Sequence, residues 1–410
     1  MNPYLALILV ILIGHYFLDW IVARLNLTCL DPQLPVEFVG FYDQDRYARS
    51  QDYTRERTRF GIFQKSVEIV VTLTFIFSGG FNLVDRLARS LNFGPILTGI
   101  VFIFALIFLS GLLSLPFSVY STFVIEARYG FNQTTTKTFI LDLLKSFLLL
   151  IVIGTPLLVL VLWLFGSALI AVWLVVWIAI IIFQLFMIYL APVIIMPWFN
   201  KFTPLEAGEL RSRIETYARE QGFKLKGVFK MDGSKRSSKT NAFFTGFGRY
   251  RRIVLFDTLI EKHSPDELLA ILAHEMGHYK LGHIPRMMIA SILQTGLLLW
   301  LLSLFIRNAG LFAAFKMEHV SVYASLIFFG FLYSPISMVL SIAANYISRR
   351  HEFAADRYSV QTTRNPDAFI TALKRLSVDN LSNLTPHPLK VFLEYSHPPV
   401  LRRIKALLNP

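Results

Sequence analysis

Seven apolar stretches divide the chain, and each is long enough to cross a bilayer as a helix. A helix rises about 1.5 Å per residue, so about 20 apolar residues span the hydrocarbon core. This pattern predicts a mainly α, polytopic membrane protein with about seven transmembrane helices. The stretches lie at residues 4–23, 66–84, 95–118, 142–164, 168–194, 287–306 and 320–346.

The composition agrees with that pattern. Hydrophobic residues make up 54% of the 410 residues and charged residues only 16%, whereas a soluble domain is about 25% charged. The net charge of +13 is attributed to basic loops at an anionic membrane surface, because no basic run carries interleaved aromatic residues. We therefore expect no nucleic-acid partner. The single cysteine, Cys29, excludes a disulfide framework and a cysteine-based zinc cluster.

Basic residues are distributed very unevenly among the loops. All but four of the 40 Lys and Arg residues fall in alternate loops, which predicts that these loops face the cytoplasm. The C-terminus is then cytoplasmic and the N-terminus lies outside. The other side holds only Arg86, Arg89, Arg307 and Lys316.

The largest polar insert, residues 195–285, alternates helix and strand signals. A helix is expected near 204–222 after a turn at 202–204, followed by strands near 226–231 and 252–256 around a polar loop. A further helix is expected to begin at Ser264, since serine caps helices and proline suits their first turn. The polar tail, 347–410, is predicted to hold two helical segments.

The helix expected to begin at Ser264 carries the motif HExxH. His274 and His278 are four residues apart, so they share one helix face and can chelate one ion. Glu275 points to the adjoining side, where it can take a proton from a metal-bound water. The alternative is a chance match on an ordinary apolar helix. The spacing favours a zinc hydrolase.

Zinc needs a third protein ligand, and the residues alone leave its identity open. His283 would face away from the pair if the helix continued through it, so it is expected not to bind the metal. Glu352 is a candidate, with Asp356 one turn later placed to hydrogen-bond a ligating histidine. His351 is a rival ligand, and the same residues could form an ordinary charged helix edge.

Long sequence blocks resemble one known family, the type I CAAX prenyl proteases, which are a-factor-converting integral membrane zinc metallopeptidases; the chain could be a bacterial member. The resemblance implies a hydrated chamber inside seven helices and a zincin-like metallopeptidase domain with a small β element. It places the N-terminal membrane domain at 1–194, with about five transmembrane helices, and the metallopeptidase domain at 195–410, with two more. The blocks lie at 126–139, 196–215, 231–247, 251–260, 272–283, 349–360 and 395–407.

The resemblance also implies roles for individual residues. One zinc ion per chain would be held by three ligands, with a glutamate as the general base and a histidine of the tail stabilising the oxyanion. Two residues would hold the substrate backbone like an added strand, and an arginine would lie near the active site. In this order the residues are His274, His278 and Glu352; Glu275; His397; Asn241 and Ala242; and Arg402, with Asp356 supporting the metal site.

The implied substrate is a peptide or protein with an extended C-terminal tail, with or without an isoprenyl group, cut near that C-terminus in contact with membrane lipids. The membrane would be a bacterial inner membrane, or the endoplasmic reticulum in a eukaryote. Two alternatives remain: a membrane quality-control metalloprotease without lipid specificity, and a non-catalytic channel or transporter. The combination of Glu275, Glu352 and Asp356 argues against the second. Polar residues inside the spans, such as Asp19 and Glu68, either line water or pair near the span ends.

Overall fold

The computed structural model describes residues 2–167, 171–223, 225–245 and 252–409. The helices are α1 Pro3–Thr28, α2 Gln44–Phe77, α3 Gly80–Ser90, α4 Pro95–Tyr120, α5 Thr136–Leu149, α6 Thr155–Gly166, α7 Val172–Leu190, α8 Met196–Phe199, α9 Glu209–Glu220, α10 Asp257–Lys262, α11 Pro265–Lys280, α12 His283–Phe305, α13 Ala309–Ala314, α14 Val322–Thr363, α15 Pro366–Asp379, α16 Pro388–Glu394 and α17 Val400–Leu408. The strands are β1 Phe202–Pro204, β2 Gly227–Met231, β3 Ala242–Thr245 and β4 Arg252–Phe256. Short π-helical turns at 121–126, 150–154 and 191–195 extend the C-terminal ends of α4, α5 and α7.

Seven helical stretches of the described residues are long and apolar enough to cross a membrane, which confirms the predicted fold class. The second predicted span, 66–84, is wrong at its end, because α2 stops at Phe77. Gly79 adopts a φ of +75°, a left-handed conformation that ends the helix. The first three residues of the predicted span 168–194 lie outside the described residues.

Two of these helices continue well beyond the bilayer. The polar segment before the second span was predicted as loop, but α2 already begins at Gln44, where the Asp43 side chain accepts a hydrogen bond from the Arg46 amide. At the other end, α14 runs for 42 residues and carries the last span directly into the segment with Glu352 and Asp356.

The insert forms a four-stranded sheet in the order β1-β2-β4-β3. Strands β2 and β4 lie close to the predicted positions and pair in parallel, whereas β1 and β3 pair antiparallel at the two edges. The turn predicted at 202–204 is wrong, because these residues form β1 and pair with β2. The expected helix near 204–222 is shorter, running over Glu209–Glu220.

The tail folds over the sheet and α11. Its prediction of two helical segments is wrong, since α15, α16 and α17 come after the end of α14. Packing of Ala372 beside Leu268 and Leu272 places α15 against α11.

A cavity of about 1020 Å³ lies between the membrane helices and this polar half. Asp19 and Lys65 both line it and form an ion pair at 2.6 Å. Glu68, by contrast, accepts a hydrogen bond from Gln64 at 2.8 Å. The polar residues of the spans therefore follow both expected patterns.

Candidate metal centre

The local sequence fixes where the HExxH helix begins. Ser264 accepts a hydrogen bond from the Glu267 amide and Pro265 occupies the first turn of α11, as predicted. Leu268 and Leu272 bury one face of α11 against the sheet. This packing turns His274 toward α14.

Three side chains meet between α11 and α14. His274 Nε2 lies 3.2 Å from His278 Nε2 and 3.5 Å from Glu352 Oε2, and His278 Nε2 lies 3.2 Å from Glu352 Oε1. Two donors at about 2.0–2.1 Å from a tetrahedral ion lie about 3.3 Å apart. The donor set therefore fits one small tetrahedral metal ion, and these three residues form the His/Glu group of the described chain that could hold one.

The carboxylate of Glu352 supports this fit. It is buried, and its Oε2 atom accepts no hydrogen bond. An ionised carboxylate removed from water needs a compensating cation. Arg403 lies 3.5 Å from this oxygen, and a metal ion at the meeting point of the three donors would supply further positive charge directly at it.

Asp356 contacts the first histidine from behind. Its Oδ1 lies 2.8 Å from His274 Nδ1, which fixes the ring so that Nε2 points at the candidate site. Burial lowers the pKa of His274, but the neighbouring carboxylates of Asp356 and Glu352 outweigh it and raise the pKa to about 9. A metal ion must therefore displace a proton at neutral pH.

The second histidine has a different supporting partner. His278 Nδ1 lies 3.1 Å from His283 Nδ1, and the His283 ring stacks on His351 at a centroid distance of 3.9 Å. The assumption that the helix continues through His283 is wrong, because Gly282, with a φ of +70°, ends α11. His283 lies behind a candidate ligand, and nothing in the bare motif indicated this.

Glu275 and His397 both line a cavity of about 400 Å³, together with the candidate ligands His274 and Glu352. Glu275 is partly buried, and this burial raises the pKa of its carboxyl group, opposed by the nearby histidines. His397 Nε2 lies 3.3 Å from Glu352 Oε1. The structure thus brings both predicted catalytic residues to the metal site.

The His397 ring has a second contact that sequence reasoning missed. Ser396 Oγ lies 3.0 Å from His397 Nδ1. If the hydroxyl donates to Nδ1, the ring proton resides on Nε2, which faces the site. The His397 side chain is exposed to the cavity, and partial desolvation there lowers its pKa, which favours this neutral form.

Asn241 and Ala242 lie on the rim of the same cavity, at the start of β3. The Asn241 carbonyl accepts from the Phe256 amide of β4, and its side chain accepts from the Ala242 amide at 2.9 Å. Asn380 of the tail clamps the preceding residue, Thr240, through both backbone groups. No sequence signal singled out Asn380.

The structure does not bring Arg402 to the site. Its side chain is exposed, whereas Arg403 lines the cavity and forms a bidentate pair with Asp356, at 2.9 and 2.5 Å. Arg403 also lies 3.5 Å from Glu352. Periodicity could have found it: Arg403 follows Val400 by three residues and precedes Leu407 by four, so it shares their packed face.

Comparison with known proteins agrees with this geometry. Residues 24–201 match the family described as CAAX prenyl protease N-terminal, five membrane helices, and residues 204–410 match peptidase family M48. The CAAX prenyl protease 1 homolog of Arabidopsis thaliana is 34% identical, over 99% of this chain and 97% of its own. CAAX prenyl protease 1 of Saccharomyces cerevisiae is 35% identical, over 94% and 89%.

The likeness extends to three dimensions. The crystal structure of S. mikatae Ste24p superposes with a TM-score of 0.94 at 32% identity and covers 99% of both chains. Fold, metal-site geometry and family matches therefore agree over nearly the whole length. The chain belongs to peptidase family M48 and is a multi-pass membrane metallopeptidase.

Proposed function

We propose that the protein is a zinc endopeptidase that cuts near the C-terminus of prenylated CAAX-type substrates. The observation that carries the proposal is the meeting of His274, His278 and Glu352 in tetrahedral spacing beside Glu275. The cavity at this site opens toward the cavity of about 1020 Å³ among the membrane helices, which we call the chamber. The names of the relatives supply the substrate class.

Zinc, when bound, polarises a peptide carbonyl and lowers the pKa of a water molecule. Glu275 takes the proton of the attacking water and delivers it to the leaving amine. His397 donates a hydrogen bond from Nε2 to the carbonyl oxygen as negative charge develops there. Asp356 holds the His274 ring in place, and Arg403 neutralises the charge of Asp356.

Strand β3 supplies a surface for the substrate backbone. It is an edge strand of the described sheet, and its start borders the metal cavity. Because the Asn241 carbonyl faces β4, alternation along an antiparallel strand turns the backbone groups of Ala242 away from β4. An extended peptide can pair there as an added strand, after it displaces the hydrogen bond that the Ala242 amide donates to the Asn241 side chain.

The chamber accounts for a substrate that carries a lipid. Its wall includes Trp20 and Tyr16 together with charged residues, and it shares Asn241 and His397 with the metal cavity. A prenyl group attached next to the scissile bond could enter this space. The excess of basic residues in the loops on the metal-site side supports a cytoplasmic location for this site.

The competing activity is cleavage of unmodified membrane peptides without lipid specificity. The test compares a farnesylated CAAX peptide with its unprenylated twin, using wild-type protein and Glu275→Gln in detergent. We expect about one zinc per chain in both proteins and cleavage by the wild type alone, faster on the farnesylated peptide.

Glu215→Gln serves as the matched control, since Glu215 pairs with Arg211 on the surface of α9, away from both the zinc ligands and the chamber. It should cut normally. Equal rates on the two peptides would favour the activity without lipid specificity. Substantial cleavage by Glu275→Gln would refute the role of Glu275 as base.

A further inference from the structure

A second cavity, of about 790 Å³, lies at the far end of the membrane helices from the metal site. Its wall is formed where α4 and α14 begin and α6 ends, around Pro95, Val322 and Gly166. Glu352 lies near the opposite end of α14. The cavity is therefore at the level of the opposite membrane surface.

Two arginines line this cavity, Arg89 and Arg307. Basic residues are scarce on this side, where the sequence holds only four. The other two are engaged elsewhere: Arg86 lies 3.7 Å from Glu318, and Lys316 donates to the Phe77 carbonyl at 2.6 Å. Half of the cations on this surface thus converge on one cavity.

The charges in the cavity are not balanced. Asp85 is fully buried and accepts from Arg89 Nε at 2.8 Å and from the Tyr323 hydroxyl. The bond from Nε uses one of the five donors of Arg89 and leaves the two terminal nitrogens of its guanidinium available. Arg307 has no side-chain hydrogen bond or ion pair with any residue that the structure describes. One positive charge therefore remains for a ligand.

Helix α4 adds to this positive potential. It begins on the cavity wall after Gly94, which offers no side chain to cap the first amides. The amino end of a helix carries a partial positive charge. Both arginines and this helix end favour a phosphate or another anion.

Apolar side chains form much of the rest of the wall, which favours an amphiphilic anion. Phe93, Ile96 and Trp163 line the cavity, and Trp163 is 60% exposed. Next to it, α3 buries Val84 but exposes Leu83 and Leu87, as a helix lying in the membrane surface does. Apolar side chains that can contact acyl chains thus lie beside the two arginines.

We propose that this cavity binds an anionic phospholipid from the leaflet opposite the metal site. Arg89 and Arg307 bind its phosphate group, with the hydroxyls of Thr98 and Ser321 nearby on the wall. The acyl chains lie against Trp163. Such a lipid would hold together the starts of α4 and α14.

The test is native mass spectrometry of the full chain, purified in detergent and titrated with phosphatidylglycerol or phosphatidylcholine. Arg307→Gln removes the unpaired charge, and Arg86→Gln is the matched control on the same surface. An arginine near anionic lipid contributes about 1 kcal/mol, or about fivefold in affinity. We expect Arg307→Gln to weaken the first phosphatidylglycerol about fivefold and Arg86→Gln to leave it unchanged.

Arg89→Lys keeps a cation beside Asp85 but loses the planar fork, so it should also weaken binding while the protein remains folded. Equal affinity for both lipids in the wild type, or equal affinity of Arg307→Gln and Arg86→Gln, overturns the proposal. Inorganic phosphate that binds as tightly as phosphatidylglycerol would identify a free-anion site instead and also overturn it.

Discussion

The two candidate histidine ligands are supported by different groups, which predicts unequal losses of zinc affinity. Asp356 holds His274 with a carboxylate at 2.8 Å, whereas His283 holds His278 with a neutral ring at 3.1 Å. Removing the group behind a ligating histidine costs about 10–100-fold in metal affinity. Charge-assisted hydrogen bonds are roughly twice as strong as neutral ones.

We therefore expect Asp356→Ala to lie near the 100-fold end and His283→Ala near the tenfold end. His283→Asn retains an acceptor close to the position of Nδ1, so it should recover most of the affinity. His351→Ala removes the ring that stacks on His283 without touching His278, and should change affinity little. Zinc affinity is measured by competition with a chromophoric chelator at fixed pH, after thermal unfolding has established that each variant is folded.

The comparison among these variants shows whether the contact of His283 with His278 supports zinc binding. If His283→Ala and His351→Ala lose affinity equally, the loss comes from packing and not from the contact with His278. If His283→Asn binds as weakly as His283→Ala, the acceptor at Nδ1 does not position the ligand. Either result would refute the reasoning.

Three further outcomes are expected from the geometry. His397→Ala should lower kcat about 10²–10³-fold at unchanged zinc content, because it removes one oxyanion donor; a loss of zinc in this variant would contradict that role. Gly99→Ala should destabilise the protein by about 1–3 kcal/mol, since a Cβ atom there would lie 2.8 Å from the Tyr323 ring. Gly111→Ala in the same helix is the control: its Cβ atom would meet nothing within 4 Å, so it should leave stability unchanged. Thermal unfolding in detergent compares the two variants. Apparent zinc affinity should rise about tenfold per pH unit up to pH 9, because zinc displaces the proton of His274, whose pKa is about 9; an affinity that does not change between pH 6.5 and 8.5 would show that no proton is displaced.

The membrane architecture was predictable because long apolar runs dominate local preferences. The strands β2 and β4 were also found, since both are short apolar runs between polar loops. Strand β1 could not be predicted, because a three-residue segment that ends in Pro204 has no strand signal and depends on pairing with β2. The helical start of α2 was missed because its surface is polar and its apolar pattern begins later.

The candidate site was only partly readable for the same kind of reason. Spacing on one helix identified His274 and His278, whose geometry depends on local rise and turn. The partner of His278 depends on a chain reversal at Gly282, which periodicity does not encode. The choice between Arg402 and Arg403 depends on which face of α17 packs inward, and adjacent residues on a helix differ by about 100°.

The length of α14 sets how deep a substrate must travel. From its start at Val322 to Glu352 the helix rises about 45 Å, whereas the hydrocarbon core is about 30 Å thick. With α14 upright and its start at the edge of the hydrocarbon, Glu352 would lie about 15 Å beyond the lipid tails, a distance that four or five extended residues would bridge. Under the proposed function, a substrate lipidated next to the scissile bond lacks those residues, so its hydrocarbon would have to leave the bilayer before cleavage, and extraction of the lipid would become part of the energetic barrier to turnover.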